Sequence, residues 1–266
     1  MKKKEQEGTE RKVYLLVGAS SDVGKEYIRY LAGGYRKNGR NRPLILAHYC
    51  NDSSGLEALA TECPSVEIIP VQADLSNEEK AVALVNQVQK YAEYPNYILH
   101  FPAMKFDYMR YKKFDTDYLR MQMNVQLFSF LVITRAFLPL MQKEYGNRVL
   151  VMLTSYVDDE LPPKFMADYI VTKYALLGAV KAAATEYGGK NLKINAISPC
   201  MMDTKFLDKM DIHIKELAAE KSPVGRIIRP EELAPFIDEM LDTGFTANGV
   251  NIRVDESEFE REDISE

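Results

Sequence analysis

Val13-Tyr14-Leu15-Leu16-Val17-Gly18-Ala19-Ser20-Ser21-Asp22-Val23-Gly24 is the stretch that sets the fold. Its first five residues form a short, unbroken apolar run, the mark of a strand buried on both faces of a parallel sheet. A turn of small residues follows and leads into a helical pattern from Lys25 to about Tyr35. A strand, a small-residue turn and a helix start bring free backbone N–H groups and the positive end of a helix dipole to one place, which attracts a phosphate. The glycine spacing is not the usual G-x-G-x-x-G, so the turn by itself also reads as an ordinary strand-to-helix connection.

The rest of the chain repeats the alternation. Apolar runs at 43–47, 66–71, 97–101, 149–153, 194–197 and 250–254 read as strands. Helices are expected at about 54–62, 77–92, 116–144, 166–187, 205–220 and 230–242, which implies an α/β fold with a doubly wound parallel sheet, Rossmann-type, in a single domain. Ligands of such a sheet bind at the carboxyl ends of its strands. Gly18, Asp74, Ser155 and Pro199 each follow an expected strand and should gather along that edge.

The chain has 266 residues, 46% of them apolar, and a net charge of −5. No linker rich in Pro, Gly or Ser divides it, so one domain at 13–255 is expected, between a flexible basic N-terminus at 1–12 and an acidic C-terminal tail at 256–266. This charge distribution does not suit a nucleic-acid binder. The run Lys2 to Lys4 reads as a solvated end. No apolar run reaches the roughly 20 residues of a membrane span, so no membrane partner and a cytoplasmic location are expected. Cys50, Cys63 and Cys200 are unevenly spaced, which predicts free thiols and no metal site.

The chemistry is carried by Tyr169-Ile170-Val171-Thr172-Lys173, with Ser155 fourteen positions upstream. On a helix the phenol and the ammonium four residues apart lie on one face. A cation beside a phenol lowers its pKa from about 10, which fits a tyrosine for proton transfer. The same spacing also arises when a ring packs inward and a lysine reaches out to water. Asn124 lies inside the apolar helix expected at 116–144, as either a link to backbone or part of the site.

These elements, in this order, resemble the short-chain dehydrogenases/reductases, in the subfamily of about 250 residues that includes 3-oxoacyl reductases. The resemblance runs from Val13 to about Asp255. It includes Ala73-Asp74-Leu75, Asn195-Ala196-Ile197-Ser198-Pro199 followed by Thr204, Pro223-Val224-Gly225-Arg226 and Pro230-Glu231-Glu232-Leu233-Ala234. It implies that Tyr169 passes a proton to or from the substrate oxygen. Lys173 lowers its pKa and holds the nicotinamide ribose, Ser155 hydrogen-bonds the carbonyl and Asn124 helps relay protons. It places the dinucleotide on Gly18, Ser20, Ser21, Asp22, Val23 and Gly24, with Asp74 and Leu75 at the adenine, Pro102 and Ala103 beside the adenosine, and Pro199 and Thr204 near the nicotinamide amide.

The departures are informative. Asp22 replaces the middle glycine of the turn, and His100-Phe101-Pro102-Ala103 replaces Asn-Asn-Ala-Gly after the fourth strand, which predicts a weakened cofactor site. His100 reads as a packing histidine rather than a base. After the second strand, Tyr49 and Cys50 carry no acid, while Asn51, Ser53 and Ser54 suit a phosphate, so NADP is expected ahead of NAD. The expected activity is reduction of a ketone or aldehyde, a small-molecule carbonyl substrate that includes 3-oxoacyl thioesters, by a homo-oligomer, either dimer or tetramer. Alternatives are a nucleotide-binding protein of this fold without turnover and a nucleotide-sugar epimerase or dehydratase. Specificity is expected from the loop after Ser155, with Asp158 to Pro163, and from the segment between about Met201 and Ser222, where Met201, Met202 and Met210 form an adaptable apolar wall.

Overall fold

The structure, a computed structural model, describes residues 11–38, 41–105, 108–208 and 210–259. Among the described residues there are seven strands: β1 (Val13–Val17), β2 (Leu44–Tyr49), β3 (Glu67–Gln72), β4 (Tyr97–His100), β5 (Asn147–Met152), β6 (Leu192–Pro199) and β7 (Asn251–Val254). They form one sheet in the order β3-β2-β1-β4-β5-β6-β7, and every neighbouring pair is parallel. The strand order reverses direction between β1 and β4, which opens a crevice above their carboxyl ends.

The described residues also form eight α-helices: α1 (Asp22–Asn38), α2 (Ser54–Glu62), α3 (Glu78–Val88), α4 (Thr116–Met123), α5 (Ser129–Met141), α6 (Ala167–Tyr187), α7 (Ile212–Lys221) and α8 (Pro230–Leu241). Successive residues of a strand face opposite ways. Tyr14 and Leu16 therefore join a core under α1, α2 and α8, with Tyr27, Leu56 and Ile237. Leu15 and Val17 join the other core under α3, α5 and α6, with Leu84, Phe130 and Leu176.

Two expected helices differ in the structure. The one at 116–144 is broken into α4 and α5 by a π-turn at Asn124–Phe128, and it ends at Met141. By length and composition Thr116–Met141 could cross a membrane, but half of it is buried inside the fold. The helix at 205–220 is a short 3-10 turn at Lys205–Leu207, and α7 then starts at Ile212 because Asp211 accepts a hydrogen bond from the His213 N–H and caps it. At the C-terminal end, Phe259 packs edge-on to Phe236 at 5.6 Å, so the fold extends into the segment read as an acidic tail. Most of the basic N-terminus and the rest of that tail lie outside the described residues.

A buried histidine holds the first turn in place. His48, at the end of β2, accepts a hydrogen bond from the Gly18 N–H on Nδ1 at 3.0 Å, and its Nε2 lies 2.9 Å from the Ala73 carbonyl. With the proton on Nε2 the ring therefore ties the ends of β1 and β3 to β2. Burial pushes its pKa down to about 4. The unfolded chain then takes up a proton as pH falls through the ordinary histidine range near 6.5 while the folded chain does not, so stability is lost from about pH 6.5 down to about pH 4 and is complete above that window. His48→Phe should cost about 1–3 kcal/mol in urea unfolding at pH 7 and flatten the loss of stability between pH 6.5 and 4. An unchanged midpoint and an unchanged acid limb would contradict this role.

Candidate active site

The site forms where the ends of β1, β4, β5 and β6 meet the start of α6. Leu176, Val180 and Ala184 bury one face of α6 against the core, which carries the first turns of the helix over the carboxyl end of the sheet. Tyr169 and Lys173 are both buried there. The Lys173 ammonium lies 5.6 Å from the centre of the Tyr169 ring and donates to the Met152 carbonyl at 2.9 Å. A hydrogen bond joins the Tyr169 phenol to the side chain of Thr154.

Burial governs the charge state of both groups. It pushes the Tyr169 phenol well above its ordinary value, with the Thr154 hydrogen bond acting weakly the other way. It lowers Lys173 to about 7. The spacing had predicted a phenol lowered by its lysine. The structure places the phenol so deep that desolvation dominates, and the same burial strips much of the charge from the lysine. Tyr169 is therefore a protonated phenol at neutral pH.

A cavity of about 300 Å³ opens beside these groups. Of the residues expected at the site, Ser20, Ser21, Asp22, Val23, Ala103, Tyr169, Lys173, Pro199 and Thr204 line it. Gly18 and Gly24 shape the turn beneath it. Gly18 has φ +82, and a Cβ on Gly24 would come within 2.7 Å of the Ala19 carbonyl oxygen, so the helix start fits the turn only without a side chain there. Pro102 packs behind Gly18, its nitrogen 3.1 Å from where a Cβ would stand. Leu75 is buried. Asp74 pairs with Lys80 and accepts from the Ser76 N–H at 2.9 Å. Asn51 is exposed and accepts from the Cys50 thiol.

Two expected residues are placed elsewhere. Ser155 is buried off the cavity wall, its carbonyl accepting from Arg253 at 3.3 Å, while its neighbour Thr154 lines the cavity and meets Tyr169. A hydroxyl at either position fits the sequence spacing; the end of β5 at Met152 decides which one faces α6. Asn124 donates its amide to the Ser76 carbonyl at 2.8 Å and does not reach the cavity, so it is the link to backbone. It braces the π-turn against the segment after β3.

His100 is fully buried beside Phe130, and its Nε2 lies 2.8 Å from the Gln126 carbonyl. Burial lowers its pKa to about 3, which agrees with a packing histidine. The acids of the loop after β5 do not enter the cavity: Asp158 accepts from Asn251 at 2.8 Å and Asp159 pairs with Arg253 at 2.7 Å. Among the described residues no group of three or more His, Cys, Asp or Glu is placed to hold a metal.

The lining matches the pyrophosphate turn and the nicotinamide end of the expected dinucleotide site. It runs from the small-residue turn at the N-terminus of α1, past Ala103, to Pro199 and Thr204 beside Tyr169 and Lys173. Anion-attracting N–H groups lie at one end and a proton donor at the other. Lys205 and Phe206, inside the segment expected to set specificity, also line the cavity; their placement depends on how that segment folds back over the pocket after β6.

Residues 37–256 match the family model described as Enoyl-(Acyl carrier protein) reductase. The 3-oxoacyl-(acyl-carrier-protein) reductase FabG of Thermotoga maritima is 26% identical over 233 residues, 86% of this chain and 89% of the relative. Among solved structures, the L-sorbose reductase of Gluconobacter frateurii, complexed with NADPH and L-sorbose, is similar at a TM-score of 0.79 and 20% identity, over 94% of this chain and 97% of that one. The 3-ketoacyl-(acyl-carrier-protein) reductase of Brucella melitensis, complexed with NADH, gives a TM-score of 0.76 at 20% identity, over 92% and 97% of the two chains.

A buried lysine held by one carbonyl is a cost to the fold. Below about pH 7 it is charged in both folded and unfolded chains and the burial penalty is complete; between about pH 7 and 10.5 only the unfolded chain is charged, so this contribution to stability improves as pH rises through that window. Lys173→Met should therefore raise the melting temperature by a few degrees at pH 6, with the gain shrinking towards pH 10, while abolishing turnover. A lower melting temperature at pH 6 would contradict this account.

Proposed function

The chain belongs to the short-chain dehydrogenase/reductase family, and from that premise we propose that it is an NADPH-dependent reductase of ketones or aldehydes, 3-oxoacyl thioesters among them. It is an oxidoreductase that transfers a hydride between a nicotinamide cofactor and a carbonyl or hydroxyl group. The observation that carries the reductive direction is the buried, protonated Tyr169 phenol beside Thr154 at the carboxyl edge of the sheet.

In this reading the turn from Gly18 to Gly24 holds the pyrophosphate, Asp74 the adenine end, Pro199 and Thr204 the nicotinamide amide, and Lys173 the nicotinamide ribose. The bound cofactor supplies the hydride. Tyr169 donates its phenolic proton to the substrate oxygen, which gathers negative charge as the carbonyl carbon is reduced. Thr154, by its position, donates a hydrogen bond to the same oxygen in the role expected of Ser155. Lys173, able to change charge near pH 7, returns a proton to the phenol. Phe206, 5.8 Å from the Tyr169 ring centre, shields the reacting groups from water.

The preference for NADP rests on charge around the adenosine end. Asp52, the acid nearest the end of β2, accepts from the Ser54 N–H and hydroxyl, both at 2.9 Å, so its carboxylate is already engaged at the start of α2. Lys205 acts electrostatically on both Asp22 and Asp52, which puts a cation over this end. A homo-oligomer is supported by Met121, Phe128 and Leu131 on the α4–α5 segment and Val171 and Tyr174 on α6, all exposed. Three unpaired cysteines suit a reducing, cytoplasmic compartment.

Tyr169→Phe should lower kcat at least a thousandfold with the Kd for NADPH within a few-fold of the parent. Thr154→Ala should cost about 100- to 1000-fold in kcat and Ser155→Ala less than about fivefold. The reverse order of the last two variants would return the role to Ser155. Calorimetric titration should give a micromolar Kd for NADPH and a weaker one for NADH, with Lys205→Glu narrowing the gap; equal affinities in the parent would remove the NADP preference. Light scattering at micromolar concentration should give the mass of a dimer or tetramer.

A further inference from the structure

Apart from the two cores on the faces of the sheet, a third apolar cluster stands over the reacting tyrosine. Met166, Tyr169 and Ile170 are buried in it, with Tyr156, Phe206 and Met210 packed against them. Its members come from the loop after β5, the start of α6 and the segment after β6, and Tyr156, Met166, Phe206 and Met210 all line the cavity. These four side chains form a wall facing the place where the substrate carbonyl must lie.

The backbone is bent to make that wall. Phe165 is the one non-glycine residue with a positive φ among the described residues, at 70°, and its carbonyl accepts from the Met109 N–H at 2.8 Å. The consequence is a reversal of facing: Phe165 turns outward at 47% exposure while Met166 turns inward at 2%. Backbone strain of this kind persists where the surroundings enforce it, and it clusters at functional sites.

The polar groups of the cavity sit elsewhere. Thr154, Tyr169 and Lys173 face the carbonyl itself. At the phosphate-binding turn, Lys25 pairs with Asp22 at 3.1 Å, and the backbone N–H of Lys205 donates to Asp22 at 2.8 Å. Lys105 pairs with Asp208 at 3.2 Å. The Tyr156 hydroxyl is the only polar atom that the four wall side chains carry, since methionine offers just a weak acceptor and phenylalanine none. A substrate hydroxyl pressed against this wall finds the Tyr156 hydroxyl as its one side-chain partner there, and none of the four side chains offers a carboxylate a cation.

We propose that the natural substrate is a neutral carbonyl compound with an apolar arm, an alkyl chain or an aromatic ring next to the carbonyl, seated on Tyr156, Met166, Phe206 and Met210. This rests on the reductase reading and narrows it, setting polyols and free oxo acids aside. The two flexible thioether side chains let the wall follow arms of different shape. Each methylene that the wall covers improves kcat/KM about fourfold, the ordinary effect of moving one such group out of water.

The test compares the chain with NADPH on 2-butanone, 2-hexanone, 2-octanone, L-sorbose and acetoacetate, with calorimetric binding of 2-butanol, 2-hexanol and 2-octanol as a readout that needs no turnover. The expected result is a kcat/KM that climbs about three- to fourfold per methylene, with L-sorbose and acetoacetate at least a hundredfold below 2-octanone. Met210→Asn and Phe206→Ser should each narrow the ratio of 2-octanone to 2-butanone by tenfold or more. A flat ketone series, or better turnover of L-sorbose or acetoacetate, overturns the apolar arm and leaves the reductase reading standing. Alcohol binding that tightens with chain length, without NADPH consumption on any carbonyl, supports the wall and overturns the reductase reading. Loss of both overturns both.

Discussion

An ammonium buried on a single backbone carbonyl sets the terms for this fold. Lys173 reaches the Met152 carbonyl only because α6 lies close along the sheet at the end of β5, and that approach requires Leu176, Val180 and Ala184 to be buried against the core. The same approach sinks the phenol of Tyr169 and raises its pKa, so the proton donor and the buried lysine follow from one packing decision. Stability is spent where the chemistry lies, as is usual for functional groups held away from water.

The second constraint is the close fit of the phosphate turn. Gly24 has no room for a Cβ against Ala19, and Gly18 approaches Pro102 at a positive φ. Against that tight background Asp22 has a structural purpose. Burial disfavours its charge, but the Lys205 N–H and the Lys25 ammonium outweigh burial and hold its carboxyl below the usual range. An aspartate in a turn built for anions is thus balanced by Lys25 of its own helix and bonded to the segment after β6, and that tie brings Lys205 and Phe206 over the pocket. The residue that breaks the glycine pattern is also the one that joins the two sides of the site.

Much of this was legible in the residues. Unbroken apolar runs separated by helical periods specify a parallel sheet, because a strand buried on both faces must be apolar throughout and its crossovers must be helices. All seven strands lie within a few residues of where those runs fall. Tyr169 and Lys173 were readable because helix geometry fixes residues four apart on one face. The boundaries in 116–144 and 205–220 were not: apolar periodicity runs straight through the π-turn at Asn124–Phe128, and the start at Ile212 is set by the Asp211 cap on the His213 N–H, not by periodicity.

What the sequence alone determined is the sheet, its helical cover and the Tyr–Lys pair, all of which follow from local periodicity. The tertiary structure decided which hydroxyl meets the phenol, that Asn124 braces backbone away from the pocket, that His48 supports the turn, and that a methionine and aromatic wall stands over Tyr169. These depend on where a strand ends and how a distant segment folds back. The physical reason is that periodicity fixes which way a side chain points within its own element, while its partner is set by the packing of elements far apart in the chain.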